Sequence, residues 1–157
     1  LCTVQYSAAR TSFLCGDAAH MPFSGASFDV LLNLESSHCY PDFDAFLVEV
    51  RRVLKPGGLF AFADLWGLSK FPYDWDLRRT ALERCGLTLL REQDVSDGIY
   101  RALKRDDGLS NTVREALTEE NAPLVEAILR GNEAMRLTVA TRQCSYTVML
   151  MRKTSNG

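Results

Sequence analysis

The segment from Phe28 to Leu65 constrains the fold more than any other part of the sequence. Two almost continuously apolar runs, Phe28–Asn33 and Leu59–Leu65, flank a stretch whose apolar residues recur every three or four positions. Such apolar runs predict strands covered on both faces of a parallel sheet, and the spacing between them predicts an amphipathic helix. A strand, a helix and a strand over this length predict a βαβ unit, in which the two strands are parallel.

The helix between the two strands has clear sequence signals at both ends. Asp42 is suited to cap its amino end. Arg51, Arg52 and Lys55 place positive charge at its carboxyl end, where the helix dipole favours it. Gly57, within Pro-Gly-Gly, suits the left-handed conformation that often ends a helix. The predicted apolar stripe consists of Phe43, Phe46, Leu47, Val50, Val53 and Leu54.

The rest of the chain predicts one strand before this unit and a mixture of helices and strands after it. Thr11–Ala18 is predicted to be a short buried strand with its turn, Asp74–Gly86 a helix and Leu87–Val95 a strand. Ser96–Thr141 is helical in character, and Cys144–Arg152 predicts a final strand, antiparallel to its neighbours. The predicted fold class is an open α/β sheet, mostly parallel, with a late antiparallel strand and a helical insert.

Composition argues against several classes of protein. The net charge of −2 and the dispersed Lys and Arg residues argue against a nucleic-acid surface. No apolar run approaches the roughly 20 residues that span a bilayer. The five cysteines are widely spaced without a C-x-x-C pair, so neither a disulfide framework nor a metal site is predicted. This cysteine usage favours a reducing, cytoplasmic compartment, and the oligomeric state is left open.

Polar residues follow the predicted strands where a ligand site is expected. In open α/β sheets, ligands bind beyond the carboxyl ends of the parallel strands. Asp17, the loop Leu34–Tyr40 and Asp64 each come after a predicted strand. We therefore expect Asp17, Glu35, His38 and Asp64 to lie along one edge of the sheet.

Residues 16–65 resemble the class I S-adenosylmethionine-dependent methyltransferases, in the type 11 branch of ubiquinone/menaquinone-like and natural-product enzymes. The matching text is "GDAAHMPFSGASFDV" followed by "NLESSHCYPDFDAFLVEVRRVLKPGGLFAFADL". Within that branch, "ESSHCYPDFDAFLVEVRRVLKPGG" resembles phthiotriolone dimycocerosates methyltransferase-like proteins. The resemblance implies a Rossmann-like fold and S-adenosyl-L-methionine as cofactor. It also implies methyl transfer to a small, lipophilic acceptor, with oxygen favoured over carbon.

One part of the family pattern is absent from the sequence. The glycine-rich turn after the family's first strand, and the acidic residue that ends its second strand, would lie upstream of Leu1, so the chain is expected to be a fragment. Residues 1–95 and 142–153 would form a partial cofactor-binding core, and residues 96–141 a helical cap over the acceptor site. The apolar residues of that insert would either face a lipophilic substrate or pack onto the sheet: Leu124, Ile128, Leu129 and Met135.

The resemblance assigns the cofactor to two turns. The Asp17 carboxylate would accept a hydrogen bond from the adenine amino group and the Ala18 N–H would meet the ring edge; alternatively, Asp17 bonds its own backbone, as Asp commonly does in turns. The second turn would lie along the methionine and ribose, with Glu35 either favouring the sulfonium or pointing to solvent. The predicted cofactor-binding residues are Gly16, Asp17, Ala18, Asn33, Leu34 and Glu35.

His38 and Asp64 are the predicted catalytic pair. A histidine with an ordinary pKa can accept a proton at neutral pH, and a neighbouring carboxylate would orient it. In related O-methyltransferases a histidine at this position is the general base, with the Asp after the fifth strand as its partner. Alternatively, His38 caps loop backbone and Asp64 bonds a nearby N–H. Tyr40 and Trp66 either line the acceptor pocket or serve as packing.

Two other functions compete with methyl transfer. The missing glycine-rich turn is consistent with a truncated, non-catalytic methyltransferase-like protein that acts by binding a partner. A nicotinamide-dependent oxidoreductase would share the layered fold, but the sequence carries no dinucleotide-binding glycine fingerprint. The leading hypothesis is an enzyme that methylates a small molecule.

Overall fold

The computed structural model describes residues 12–66, 75–105, 115, 118, 120–141 and 143–154. In chain order these residues form β1 (Phe28–Leu34), a 3₁₀ turn (Ser37–Cys39), α1 (Phe43–Val53), β2 (Leu54–Trp66), α2 (Trp75–Arg84), β3 (Leu87–Asp94), α3 (Ser96–Arg105), α4 (Ala122–Ala140) and β4 (Ser145–Lys153). The two strands and the helix predicted around Phe28–Leu65 are all present.

The four described strands form one sheet in the order β1-β2-β4-β3. β1 and β2 are parallel, which confirms the predicted βαβ unit. β4 is antiparallel to both of its neighbours. The other three strands therefore share one direction, and the late antiparallel strand lies inside the sheet between β2 and β3.

α1 begins where the sequence predicts and buries the face that the periodicity predicts. The Asp42 carboxylate caps the helix by accepting a hydrogen bond from the Ala45 N–H at 2.8 Å. Phe43, Phe46, Leu47, Val50 and Val53 are all buried. The three-and-four spacing thus places one continuous apolar stripe against the sheet.

The carboxyl end of α1 differs from the prediction. The helix ends at Val53, and Lys55 belongs to β2, where its ammonium pairs with the exposed Asp29 carboxylate at 2.8 Å. Pro56 explains the difference, because a residue that precedes proline is disfavoured in the helical conformation. Gly57 adopts a φ of +76° inside the strand segment and not in a helix cap.

The start of β2 bulges away from β1. Phe28 is paired with Leu54 but Val30 with Leu59, so the β2 segment contains three more residues than β1 between these two pairs. Gly58 lies in this bulge, where a Cβ atom would come within 2.9 Å of the Lys55 carbonyl oxygen. The close backbone approach is possible because glycine has no side chain.

The sheet is covered on both faces along β2. One face packs against α1 and α2 in a core of buried residues: Phe43, Phe46, Leu47, Val50, Leu54, Phe60, Phe62, Trp66, Leu82, Leu87, Met149 and Met151. On the other face, Ala63, Leu65 and Tyr146 pack with Val95 and Ile99 at the start of α3. The prediction that β2 is buried on both faces is confirmed.

Two other strand predictions are wrong within the described residues. Residues 12–16 of the predicted strand Thr11–Ala18 form no strand, and Asp17 makes only an isolated bridge with His20. β1 is covered on one face only, and Val30 and Leu32 are 57% and 67% exposed. An apolar run predicts burial on both faces only if other elements pack on both, and the described residues leave the face that carries Val30 and Leu32 largely open.

The segment between β3 and β4 forms two helices where the structure describes it, as the helical character of Ser96–Thr141 predicts, and the short helix candidate at 110–117 lies almost wholly outside the described residues. α3 contacts α4 and β4, and Pro123 lies in the first turn of α4. Leu124 is exposed and does not pack onto the sheet, whereas the side chains of Ile128 and Met135 lie outside the described residues. Within the part of the chain that the structure describes, no helix has the length and apolar character needed to cross a membrane.

Gly57 and Gly98 provide a matched test of the backbone at the start of β2. Neither would bring a Cβ within 4 Å of another group, but only Gly57 has a positive φ. Gly57→Ala should lower the free energy of unfolding by about 1–2 kcal/mol, because left-handed backbone strains a residue with a Cβ. Gly98→Ala, in α3, should raise it by up to about 1 kcal/mol. Urea denaturation measures both; equal shifts would contradict the assigned backbone.

Candidate active site

A carboxylate occupies an interior position near the carboxyl end of β2. Phe60, Phe62, Asp64 and Trp66 alternate along the strand and therefore point to the same face of the sheet. Asp64 is 0% exposed in this otherwise apolar row. A buried charge is tolerated only where hydrogen bonds or an opposite charge compensate it, so its surroundings decide what it does.

Four donors converge on the Asp64 carboxylate. Oδ2 accepts hydrogen bonds from the Ser37 hydroxyl at 2.5 Å and from the His38 backbone N–H at 3.1 Å. Oδ1 lies 2.6 Å from His38 Nδ1 and accepts the Leu65 N–H at 2.9 Å. The sequence left open whether Asp64 pairs with His38 or accepts a nearby N–H, and the Asp64 carboxylate does both.

His38 is held by its ring and by its backbone to the same carboxylate. Its side chain is 20% exposed. Because a carboxylate can only accept, the 2.6 Å contact places the proton on Nδ1 of the neutral ring and leaves the lone pair on Nε2. This is the tautomer that a histidine needs in order to accept a proton at Nε2.

Ser37 and Arg78 also belong to this cluster, and neither was identified from the sequence. Arg78, in α2, donates from Nη1 to the Ser37 hydroxyl at 3.1 Å and is 3% exposed. Its guanidinium carbon lies 4.3 Å from the Phe43 ring centroid and 5.4 Å from that of Trp66. Trp66 also stacks on Phe62 with the centroids 5.5 Å apart, so it belongs to the packed core.

A pocket of about 360 Å³ lies beside β1, and Asn33 supplies a polar atom there. The Asn33 amide donates to the Ser36 hydroxyl at 2.8 Å and to the Tyr40 hydroxyl at 3.0 Å. Within the described residues its Oδ1 is buried and has no donor. The pocket is lined mainly by apolar side chains: Ala18, Met21, Phe23, Phe28, Val30, Leu31, Leu32, Asn33, Tyr40 and Phe46. Such a lining with few polar groups is typical of a small-molecule site.

The structure brings only part of the predicted cofactor set to this pocket. Ala18 and Asn33 line it, whereas Gly16, Asp17, Leu34 and Glu35 are not among its lining residues. Asp17 Oδ1 accepts the Ala19 N–H at 2.9 Å, which is the local turn named above as the alternative. This N–H and a hydrogen bond from His20 lower the pKa of the Asp17 carboxyl. The carboxylate is therefore an acceptor at neutral pH.

The loop that carries Ala18 is fixed to α1 by an ion pair. The Glu49 carboxylate accepts the Met21 N–H at 2.7 Å and pairs with the Arg52 Nε at 2.6 Å. Arg52 donates in turn to the carbonyl oxygens of Met21 and Phe23, at 2.8 and 2.6 Å. Hydrogen bonding by Arg52 lowers the pKa of Glu49, so this connection is retained at neutral pH. The pocket wall is thus attached to the helix of the βαβ unit.

Glu35 follows β1 in an unusual backbone conformation. Its φ is +47°, and its N–H donates to the Ala63 carbonyl oxygen at 2.9 Å, which continues the pairing of β1 with β2. Burial raises the pKa of the Tyr146 hydroxyl, and hydrogen bonding to the Glu35 carboxylate raises it further. Glu35 therefore lies at the same end of the strands as His38 and Asp64, but its carboxylate contacts Tyr146 on the opposite face of the sheet.

Asp64→Asn tests how strongly the four donors depend on the charged carboxylate. An amide can accept at one position only, and its NH₂ would face donors at the other. The free energy of unfolding should fall by about 1–3 kcal/mol, the cost of leaving a buried donor unpaired. Asp29→Asn, at an exposed ion pair, should change it by less than about 0.5 kcal/mol. Urea denaturation compares the two; similar effects would contradict a special role for Asp64.

The chain is similar in sequence to known methyltransferases. Residues 2–62 match the methyltransferase domain family. The chain is 52% identical over 104 residues to the phthiotriol/phenolphthiotriol dimycocerosates methyltransferase of Mycobacterium leprae, covering 66% of this chain and 37% of that protein. It is 37% identical over 113 residues to the fatty-acid O-methyltransferase of Mycolicibacterium smegmatis, covering 71% of this chain and 40% of that protein. The chain therefore spans well under two thirds of these relatives.

A solved structure shares the fold at low sequence identity. Phosphoethanolamine N-methyltransferase 2 of Haemonchus contortus, solved with S-adenosyl-L-methionine, superposes with a TM-score of 0.72 at 16% identity, covering 88% of this chain and 36% of that one. The family match covers residues 2–62, which include His38, and the solved structure shares the arrangement of strands and helices. Together they show that the chain is similar in sequence to these methyltransferases and shares the fold of a solved one.

Proposed function

We propose that the protein transfers a methyl group from S-adenosylmethionine to a hydroxyl oxygen of a lipophilic small molecule, with His38 as general base and Asp64 as its orienting partner. The observation that carries this proposal is the 2.6 Å contact between His38 Nδ1 and the fully buried Asp64 carboxylate. The relatives named for lipid substrates support a lipophilic acceptor.

The residues around the pocket fit the cofactor. Asn33 offers a buried hydrogen-bond acceptor, and Ala18 and the other apolar lining residues suit the adenine ring. The charged Asp17 carboxylate directly precedes Ala18 in the same loop. Glu35, Gly16 and Leu34 would contribute from the adjoining turns. The bound cofactor supplies a methyl group on a sulfonium, and S-adenosylhomocysteine remains after transfer.

The protein's own task is to remove the acceptor's proton. With Nδ1 donating to Asp64, Nε2 of His38 can take the hydroxyl proton as the oxygen forms its bond to the methyl carbon. The Asp64 carboxylate then faces an imidazolium and stabilises it. Because the His38 side chain is partly exposed, the proton can afterwards pass to water.

The need for a base favours hydroxyl acceptors over carboxylic acids. A carboxylic acid is already ionised at neutral pH, so its oxygen attacks without a base, whereas an alcohol retains its proton. An oriented histidine base is useful only in the second case. Alcohols or phenols are therefore the favoured acceptors of this protein.

We propose that the α3–α4 segment covers the acceptor. It leaves the sheet at the carboxyl end of β3 and returns at Ser145, which is paired with Trp66 at the carboxyl end of β2. Both connections therefore lie at the edge that carries Asp64. The exposed side chains of Leu124 and Leu137 on α4 supply apolar surface for a lipophilic acceptor.

His38→Ala should separate catalysis from cofactor binding. Turnover of a long-chain alcohol, with hexadecanol as the probe, should fall by about 10²-fold or more because the base is lost. Transfer to palmitic acid should change far less, and the calorimetric affinity for S-adenosylmethionine should stay the same. The intact natural protein and tritiated cofactor provide the assay. Normal turnover of the alcohol would contradict the base role.

Asp17→Ala should weaken cofactor binding. Loss of a charge-assisted hydrogen bond should reduce the affinity for S-adenosylmethionine about tenfold or more, measured by calorimetry. Asp29→Ala, which removes an exposed carboxylate near the start of β1, is the matched control and should bind normally. Equal affinities of both variants would contradict the adenine contact. Absence of binding in the unmodified intact protein would instead favour the non-catalytic alternative.

A further inference from the structure

Arg78 is a buried cation next to the proposed catalytic pair. Arginine is rarely buried to 3% exposure unless hydrogen bonds or an opposite charge compensate its own. The Phe43 and Trp66 rings that face the guanidinium give it cation–π contacts but no hydrogen bonds. The polar contacts of Arg78 with the candidate site therefore require an explanation of their own.

The contact of Arg78 with Ser37 fixes the direction of a hydroxyl group. Arg78 Nη1 donates to Ser37 Oγ at 3.1 Å, with a longer 3.5 Å contact from Nη2 to the Ser37 carbonyl oxygen. A guanidinium has no acceptor, so Ser37 Oγ must accept from it. The single hydroxyl hydrogen of Ser37 is then directed to Asp64 Oδ2, 2.5 Å away.

This hydroxyl in turn fixes the carboxylate. Oδ2 of Asp64 is occupied by Ser37 and the His38 N–H, so Oδ1 is the oxygen that meets His38 Nδ1. A continuous series of hydrogen bonds thus runs from Arg78 through Ser37 and Asp64 to the imidazole. It also places a positive charge near a carboxylate that has no access to water.

We propose that Arg78 is a positioning residue for methyl transfer, acting through Ser37 and Asp64 to hold the His38 ring in its base-competent tautomer and orientation. This inference rests on the proposed function of His38. Arg78 itself does not touch the acceptor. A change remote from the reacting atoms that misplaces a catalytic group by about 1 Å can lower the rate about 10²-fold.

A double-mutant cycle in the intact natural protein tests the inference, with tritiated S-adenosylmethionine and hexadecanol as the probe. Arg78→Gln should lower kcat about tenfold or more alone, but less than about twofold in the His38→Ala background, because residues that act as a unit are non-additive. Cofactor affinity should be unchanged. Arg78→Lys should recover part of the loss, since it keeps the charge but not the fork of donors.

Two further variants separate positioning from folding. Arg79→Gln, one residue along α2, removes an arginine that pairs with Glu92 at 2.8 Å on the surface, and it should leave kcat unchanged. Ser37→Ala removes only the hydroxyl that connects Arg78 to Asp64, and it should lower kcat in the presence of His38 but not in the His38→Ala background. It replaces Arg78→Gln in the cycle if that variant does not fold. Thermal unfolding reports the folded state of each variant.

The outcomes distinguish this inference from the proposed function. Equal losses from Arg78→Gln in both backgrounds, or no loss at all, would overturn the role of Arg78 while leaving His38 as the base. If Arg78→Gln does not fold, Ser37→Ala with undiminished kcat would overturn it in the same way. Full turnover of His38→Ala alone would overturn both.

Discussion

The fully buried carboxylate of Asp64 is the constraint on which the site depends. Because it has no access to water, protein groups must supply its hydrogen bonds, and they come from the turn after β1 and from β2 itself. Arg78 adds α2 to this cluster through Ser37. One charge thus fixes the relative positions of two parallel strands, a turn and a helix, and it also gives His38 its tautomer.

Most of the fold was predictable because local patterns and the final packing agree. The apolar spacing of α1, its Asp42 cap and the two apolar runs around it all favour one βαβ unit, and that unit is present. The contact between His38 and Asp64 was predictable for the same reason, since two parallel strands deliver their following residues to one edge. The family resemblance supplied the roles.

What could not be predicted depends on partners far along the chain. Arg78 and Arg79 are adjacent and chemically identical, yet one is buried against Phe43 and the other is paired on the surface. Only the orientation of α2 decides between them, and no local pattern encodes it. The strand predicted at Thr11–Ala18 was likewise wrong for residues 12–16, because a local apolar run does not determine whether a segment pairs with the sheet.

The position of β4 has a consequence for how the chain acquires its structure. β1, α1 and β2 are contiguous and can associate early, whereas among the described strands β3 pairs with β4, which comes later in the chain. Contacts between such distant segments slow folding. During synthesis β3 therefore lacks this partner until β4 has been made. A premature stop before β4 would remove an interior strand of the described sheet and not an edge strand.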